Sequence, residues 1–291
     1  MGTSLSSAPE TTILAVPGLV RVPGWEHYPW LRAAFSTRSG GATSAYGHPG
    51  EQNLGWTSED DQGTVAENRR RFLLASHGLS LAAQTTSPAL VTVRQIHGAV
   101  IQTVPPHSDR PLSTPEGRAV LEGDGLMTQA SGVFLGIQTA DCVPVLLADI
   151  RTRAVAAFHA GWRGTLARIV EHGVARMRQE FGSRPEDLIA AIGPAIGPCC
   201  FAIGEEVRAA FTAAFGYAPE LFSESPQLHM DLHQANRRQL LAAGLGDAAI
   251  QTIAECTACT RLTDGRRKYF SHRAERGLTG RMLSVIGTTS S

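Results

Sequence analysis

The sequence predicts a single α/β domain, on three observations. Strand-like and helix-like segments alternate along the whole chain. No internal repeat and no Gly/Ser/Pro stretch long enough to act as a linker divides its 291 residues, although that length alone allows one or two domains. The composition, 43% hydrophobic and 18% charged, is that of a globular protein and too apolar for a disordered one.

Residues 1 to about 11 are rich in Ser and Thr and lack a basic region followed by an apolar one. They read as a disordered tail rather than a secretory signal. Thr288–Ser291 reads as a second frayed end, which bounds one catalytic domain at 12–287. Asp60–His77 reads as a helix closed by Gly78 at its C-terminus. Ala89–Gln95 and Ala99–Val104 read as β segments joined at Ile96-His97-Gly98, and the polar stretch from Pro105 to Gly117 as a loop. Three apolar runs follow, Val133–Gln138, Val143–Ala148 and Ala154–Phe158, continuous enough to predict strands covered on both faces. After Gly161 the period changes. Leu166, Ile169, Val170, Val174, Met177 and Phe181 are spaced as one face of a helix. Asp187–Ile192 reads as another buried strand, Glu205–Phe215 and Asp231–Ala243 as helices, and Met282–Ile286 as a closing strand.

Charge and cysteine usage exclude several classes. The 26 Lys and Arg balance the 26 Asp and Glu, which argues against a dedicated nucleic-acid binder. No apolar run approaches the ~18 residues of a membrane span. Five cysteines, an odd number, make a poor disulfide framework and point to a reducing, cytoplasmic setting. Cys256 and Cys259 form a C-x-x-C, but the remaining pair, Cys199-Cys200, is adjacent and has the wrong spacing for a zinc knuckle. Unpaired thiols are the expectation.

Three residues stand out by position. His97 lies at a turn between strands, Cys142 between two apolar strands, and His159 at the end of a strand before Ala160-Gly161-Trp162-Arg163-Gly164. Singly, a turn histidine is a solvent-facing hydrogen-bonder and a strand cysteine is core filler. Together at element ends they can converge on a cleft. Two chemistries fit. Cys142 can be a nucleophile with a histidine as its base, or the three can bind a metal with a fourth position left open, as in catalytic zinc sites. Spacing does not decide between them.

Arg94-Gln95-Ile96-His97-Gly98, Thr139-Ala140-Asp141-Cys142-Val143-Pro144 and His159-Ala160-Gly161-Trp162-Arg163-Gly164 together resemble the YfiH/YlmD-type family that carries the laccase-domain label. The likeness spans roughly Phe35 to Ile286, through motifs from Phe35-Ser36-Thr37-Arg38 to Thr279-Gly280-Arg281. The resemblance implies a single-domain layered α/β sandwich with a mixed sheet and a Zn²⁺ site made by His97, Cys142 and His159. It also implies phosphorolysis of adenosine, inosine, guanosine and methylthioadenosine, with phosphate as co-substrate, and deamination of adenosine. Related bacterial proteins are linked to peptidoglycan editing, and older labels describe copper-dependent phenol oxidases. In one place the chain departs from the family pattern: Ser271-His272-Arg273 stands where an aromatic middle residue is expected.

The residues weigh these labels. None of the ten histidines forms a His-x-His pair, which disfavours a multicopper oxidase. Copper nonetheless fits a His₂Cys set given a weak axial ligand. His229 and His233 are spaced i, i+4, yet read better as a solvated helix start than as a second metal site. For deamination, Asp141 or Glu206 can move the proton, and Gln95 or Asp124 can orient a ligand. For phosphorolysis, Arg38 beside Gly40-Gly41 and Arg163 at a helix start are the phosphate-binding candidates, and Trp162 or Phe201 can stack on a purine. The expected partners are small purine nucleosides, with no nucleic acid and no membrane, acted on by a monomer or small homo-oligomer.

Overall fold

Two mixed sheets pack face to face in the computed structural model, which describes residues 18–79, 89–106, 111–114, 117–224 and 226–289. The expected tail at 1–11, the start of the domain at 12 and part of the 105–117 loop lie outside the described residues. The first sheet runs in the order β1 (Leu19–Arg21), β2 (Leu31–Ser36), β14 (Met282–Thr288), β7 (Val133–Thr139), β4 (Ala89–Thr92). All its pairs are antiparallel except β4 with β7. The second runs β13 (Ile250–Thr252), β10 (Leu188–Ile192), β8 (Val143–Asp149), β9 (Val155–Ala160), β6 (Gly125–Thr128), β5 (Ile101–Thr103). Its two outer pairs are parallel and the rest antiparallel. The short strands β3 (Ser39–Thr43), β11 (Phe222–Ser223) and β12 (His229–Met230) lie outside both sheets.

The continuous apolar runs are explained by what covers each face. In β8, Val143, Val145 and Leu147 turn outward to a helical layer, while Leu146 and Ala148 turn inward to the first sheet. The inner layer joins Leu126, Val155, Ala157 and Ala191 of one sheet to Phe35, Val91, Leu135, Ile137 and Ile286 of the other. The outer helices are α2 (Trp162–Leu166), α3 (Ile169–Phe181), α4 (Glu205–Ala214) and α5 (Leu232–Ala242). On the far side, α1 (Gln62–His77) lays Phe72 and Leu73 on Phe134, Leu283 and Val285. The result is a four-layer sandwich, in agreement with the expected layered α/β domain.

Local chemistry adjusts the predicted boundaries. The α1 helix starts at Gln62, because the Asp61 carboxylate caps Thr64 N–H at 2.8 Å while Asp60 is engaged by Thr43 and Asn53. The helical run from Leu166 to Phe181 is not one helix. Arg168 adopts a left-handed φ of 58° between α2 and α3, and Leu166 belongs to the shorter piece. The closing strand extends to Thr288, which is buried, and Thr289 N–H donates to Trp30 C=O, so this end is not frayed there.

Candidate active site

The two connections that cross from the first sheet to the second build the site. After β4 the chain passes through Gln95, Ile96, His97 and Gly98 to reach β5; after β7 it passes through Ala140, Asp141 and Cys142 to enter β8. His159 stands near the end of β9, its register partner being Pro144 on β8. Where the sheets part, the ligand atoms of His97, Cys142 and His159 all lie within 4.8 Å of one another. The two imidazole rings meet edge to face, their centroids 4.8 Å apart.

Asp124, fully buried just before β6, organises this group. Its carboxylate accepts from His159 Nδ1–H at 2.8 Å, from His97 N–H at 2.9 Å and from Gly98 N–H at 2.7 Å. It thereby holds His97 at its left-handed φ of 59° and leaves His159 Nε2 directed to the thiol side. Gln95, the other expected orienting group, pairs instead with the Gln138 backbone through both ends of its amide. Two glycines of the His-Ala-Gly-Trp-Arg-Gly string have steric reasons. A Cβ at Gly161 would lie 2.9 Å from Cys142 Sγ, and one at Gly164 2.8 Å from the Gly98 carbonyl oxygen.

The electrostatics follow from these contacts. Burial alone would raise the Cys142 thiol, but His159 and then His97 bring it down to about 6. Burial opposes a charge on His159, but the Cys142 thiolate and Asp124 raise it to about 9. Burial likewise works against Asp124 ionising, and its bonds to His159 and the Gly98 and His97 amides lower it.

A cavity of about 620 Å³ opens over the three residues. Its wall carries Asp141, held at φ 94° by Thr257 Oγ1–H (2.6 Å), Ser271 Oγ–H (2.7 Å) and Arg273 N–H (2.6 Å). Trp56 and Phe201 supply aromatic faces, and Arg94, Arg118, Arg273 and Arg281 supply cations. His272 also lines the cavity, so the departure from the family pattern falls on the site itself.

Neither sequence-predicted arginine reaches this cavity. Arg38 is buried, with its guanidinium spent on Glu51, Glu275 and the Tyr46 carbonyl. It acts on the site only through Glu275, which accepts the Ser271 N–H. Arg163 is exposed and stacked on Trp162, 4.2 Å from its ring centroid, on a helix of five residues. Glu206 is exposed and the half-buried Trp162 packs on the outer core, and both lie outside the cavity wall. His229 begins β12, ahead of α5, and His233 is buried with its ring facing the Gly193 carbonyl, so the two do not form the expected solvated helix start, and neither joins a ligand group among the described residues. Arg94, Arg273 and Arg281 lie beside the His97, Ser271-His272 and Thr279-Gly280 strings, whereas Arg118 follows the turn at Gly117, away from all three. The four cysteines set aside as unrelated also converge, with all their sulfurs within 4.8 Å of one another.

Over residues 32–289 the chain matches the family described as multi-copper polyphenol oxidoreductase laccase. The chain belongs to that family. It is 37% identical over 265 residues to the purine nucleoside phosphorylase YlmD of Geobacillus stearothermophilus, covering 88% of this chain and 89% of that one. It is 36% identical over 199 residues to adenosine deaminase RL5 of an unknown prokaryotic organism, covering 67% of this chain and 75% of the relative. The crystal structure of the hypothetical protein YfiH of Bacillus licheniformis superposes with a TM-score of 0.81 at 30% identity, covering 94% and 97% of the two chains. The expected YfiH/YlmD kinship and fold are thus met, and relatives of this kind support an enzyme acting on nucleosides.

The donor set also bears on the metal. Two imidazoles and a thiolate suit Zn²⁺ or Cu²⁺ and leave a position open toward the cavity. Among the described residues no other group of three or more such ligands contains a histidine.

Proposed function

We propose that the protein is a zinc-dependent purine nucleoside phosphorylase that also deaminates adenosine. The observation that carries this reading is the make-up of one cavity, where a His₂Cys ligand set, two aromatic faces and four arginines surround the same space. His97, Cys142 and His159 hold the metal, which when bound supplies Lewis acidity toward a water or phosphate oxygen. Trp56 and Phe201 sandwich the purine, and its edge faces His272 and Asp141. Arg118, Arg273 and Arg281 hold phosphate for attack at the sugar C1′, the base leaving as its N9–C1′ bond breaks. In this reading Arg38 and Arg163 give up the phosphate-binding role to those three. Asp141 Oδ2, which accepts a single bond, is the atom that relays a proton. The enzyme works as a soluble cytoplasmic protein on adenosine, inosine, guanosine and methylthioadenosine. No helix among the described residues is long and apolar enough to cross a membrane.

Purified, metal-quantified protein incubated with adenosine, with and without phosphate, tests this reading. Adenine with ribose 1-phosphate is expected only when phosphate is present; inosine is expected without phosphate, and with it passes on to hypoxanthine and ribose 1-phosphate. Oxygen consumption on phenols with neither product would refute it. A specific observation favours one second reading. Cys142, His159 and Asp124 form a thiolate–imidazole–carboxylate series, the layout of a thiol hydrolase such as a peptidoglycan amidase. Activity that survives chelation and is lost on alkylation would establish that alternative.

A further inference from the structure

We propose that Cys199, Cys200, Cys256 and Cys259 form a second, structural metal site, an all-thiolate Zn²⁺ centre that braces the wall of the cavity. Adjacent Cys199-Cys200 lacks the spacing of a knuckle half when the chain is read locally. The fold removes that requirement. Ala195 and Cys256 form a parallel β-bridge, Thr257 N–H donates to the Ala195 carbonyl at 3.0 Å, and so the loop after β10 lies against the loop after β13. Four sulfurs from two loops then come within 4.8 Å of one another, with Cys199 Sγ and Cys259 Sγ 3.5 Å apart. Zn–S bonds of ~2.3 Å in a tetrahedron separate the sulfurs by about 3.8 Å, so small rotamer adjustments suffice.

The surroundings are those of a bound thiolate. Gly197 N–H donates to the buried Cys256 Sγ at 3.2 Å. A backbone N–H directed at a buried sulfur suits a thiolate metal ligand better than a neutral thiol. Gly197 also keeps the centre open, since a Cβ there would lie 3.3 Å from Cys256 Cβ and 3.4 Å from Cys199 Sγ. Arg267 donates to the Ala258 carbonyl and sets a cation against the turn, where it offsets the net dianion of a four-thiolate Zn²⁺ centre. Binding exchanges the four S–H protons for one Zn²⁺ and releases them to solvent, with no change of oxidation state.

All four coordination positions are filled by protein, so the centre is structural, and its location says what it supports. Thr257, inside the turn, donates to Asp141 Oδ1, and Ile196 N–H donates to the Asp141 carbonyl at 2.9 Å. Phe201, next to Cys200, lines the cavity.

Elemental analysis of the full chain purified under anaerobic conditions should find two Zn²⁺ per chain. The double variant C199S/C259S should retain one, and C142S should retain the other. Reconstitution with Co²⁺ alone supplies a readout independent of activity. A four-thiolate spectrum, with strong sulfur-to-metal charge-transfer bands, should persist in C142S and be absent from C199S/C259S. If the double variant does not fold, the Co²⁺ spectrum of the C142S protein decides the matter. One metal per chain that C142S abolishes, or a native Cys199–Cys259 disulfide with unchanged metal content, would overturn the proposal.

Discussion

Two ligand clusters flank Asp141, with Cys142 following it in sequence and Thr257 of the Cys256–Cys259 turn donating to its carboxylate, and their neighbours shift Cys142 and Cys200 in opposite directions. Cys142 faces two imidazoles, and despite its burial the thiol is brought down to about 6. Cys200 faces other thiols, and burial together with Cys259 and Cys256 pushes it up to about 11. Burial acts in the same direction at both; the neighbours decide the outcome. The ligand counts differ as well. The first cluster offers three protein donors beneath an open cavity, the second four donors in two interlocked loops. Open coordination beside a polarised thiolate suits chemistry, and closed coordination suits architecture.

Removing the thiolate of the first cluster should break the contrast most sharply. Cys142→Ala leaves two imidazoles to hold the metal, and nucleoside turnover should fall by more than the ~100-fold typical of losing an outer partner. One metal equivalent should be lost with it, as seen by elemental analysis. Full activity with full metal content would remove Cys142 from the site.

Asp124→Asn comes next. The amide retains one acceptor for the His97 and Gly98 N–H groups, but it loses the charge that holds His159 Nδ1–H. Metal affinity should fall ~10- to 100-fold, read by competition with a chromophoric chelator. An unchanged dissociation constant would show that His159 is oriented without Asp124.

These two residues also mark how far the sequence could be read. His97, Cys142 and His159 were legible because the connections that carry them are short and flank apolar strands. Asp124 was named only as one of two alternatives, since nothing local separates it from Gln95. That choice depends on β6 lying beside β9, a pairing between strands distant in sequence. Strands β8, β9 and β10 were legible because both their faces are covered. The break at Arg168 was not, because the apolar spacing runs through it without interruption. Arg38 was misread for an electrostatic reason. A basic residue beside a Gly-Gly turn resembles an anion site, but Glu51 and Glu275, 13 and 237 residues away, claim the guanidinium first. The convergence of the four cysteines depends likewise on a bridge between residues 195 and 256.

The ionisation contrast can be sharpened by alkylation. In metal-stripped protein, Cys142 should react with iodoacetamide along a thiolate curve centred at about pH 6, roughly tenfold slower at pH 5 than at pH 7. Cys200, pushed up to about 11, should stay nearly inert over that range. Peptide mass mapping separates the two. Stability has a matching window. The depressed Cys142 contributes above its unfolded value and loses that contribution as pH falls through about 6. The raised His159 contributes below its unfolded value and loses it as pH rises through about 9. The ion pair therefore stabilises metal-free protein most between those limits, and a melting temperature that is flat from pH 5 to 10 would contradict it.

The smallest expected effect tests whether the glycine after His159-Ala160 is there for the thiol. Gly161 has φ −64°, a value any residue adopts, so backbone freedom is not its reason. Its reason is steric: a Cβ would sit 2.9 Å from Cys142 Sγ, closer than ordinary contact. In Gly161→Ala the sulfur must turn away from the imidazoles, because the competing atom is fixed to the β9–α2 backbone. The thiol should then lose part of the pull from His159, so its alkylation midpoint rises above 6, and metal affinity should weaken by less than ~10-fold. The four-cysteine cluster, which Gly161 does not approach, should keep its metal. If the Cys142 midpoint stays put while the protein merely melts earlier, Gly161 serves packing alone, and the thiol's acidity does not depend on the close approach of this turn.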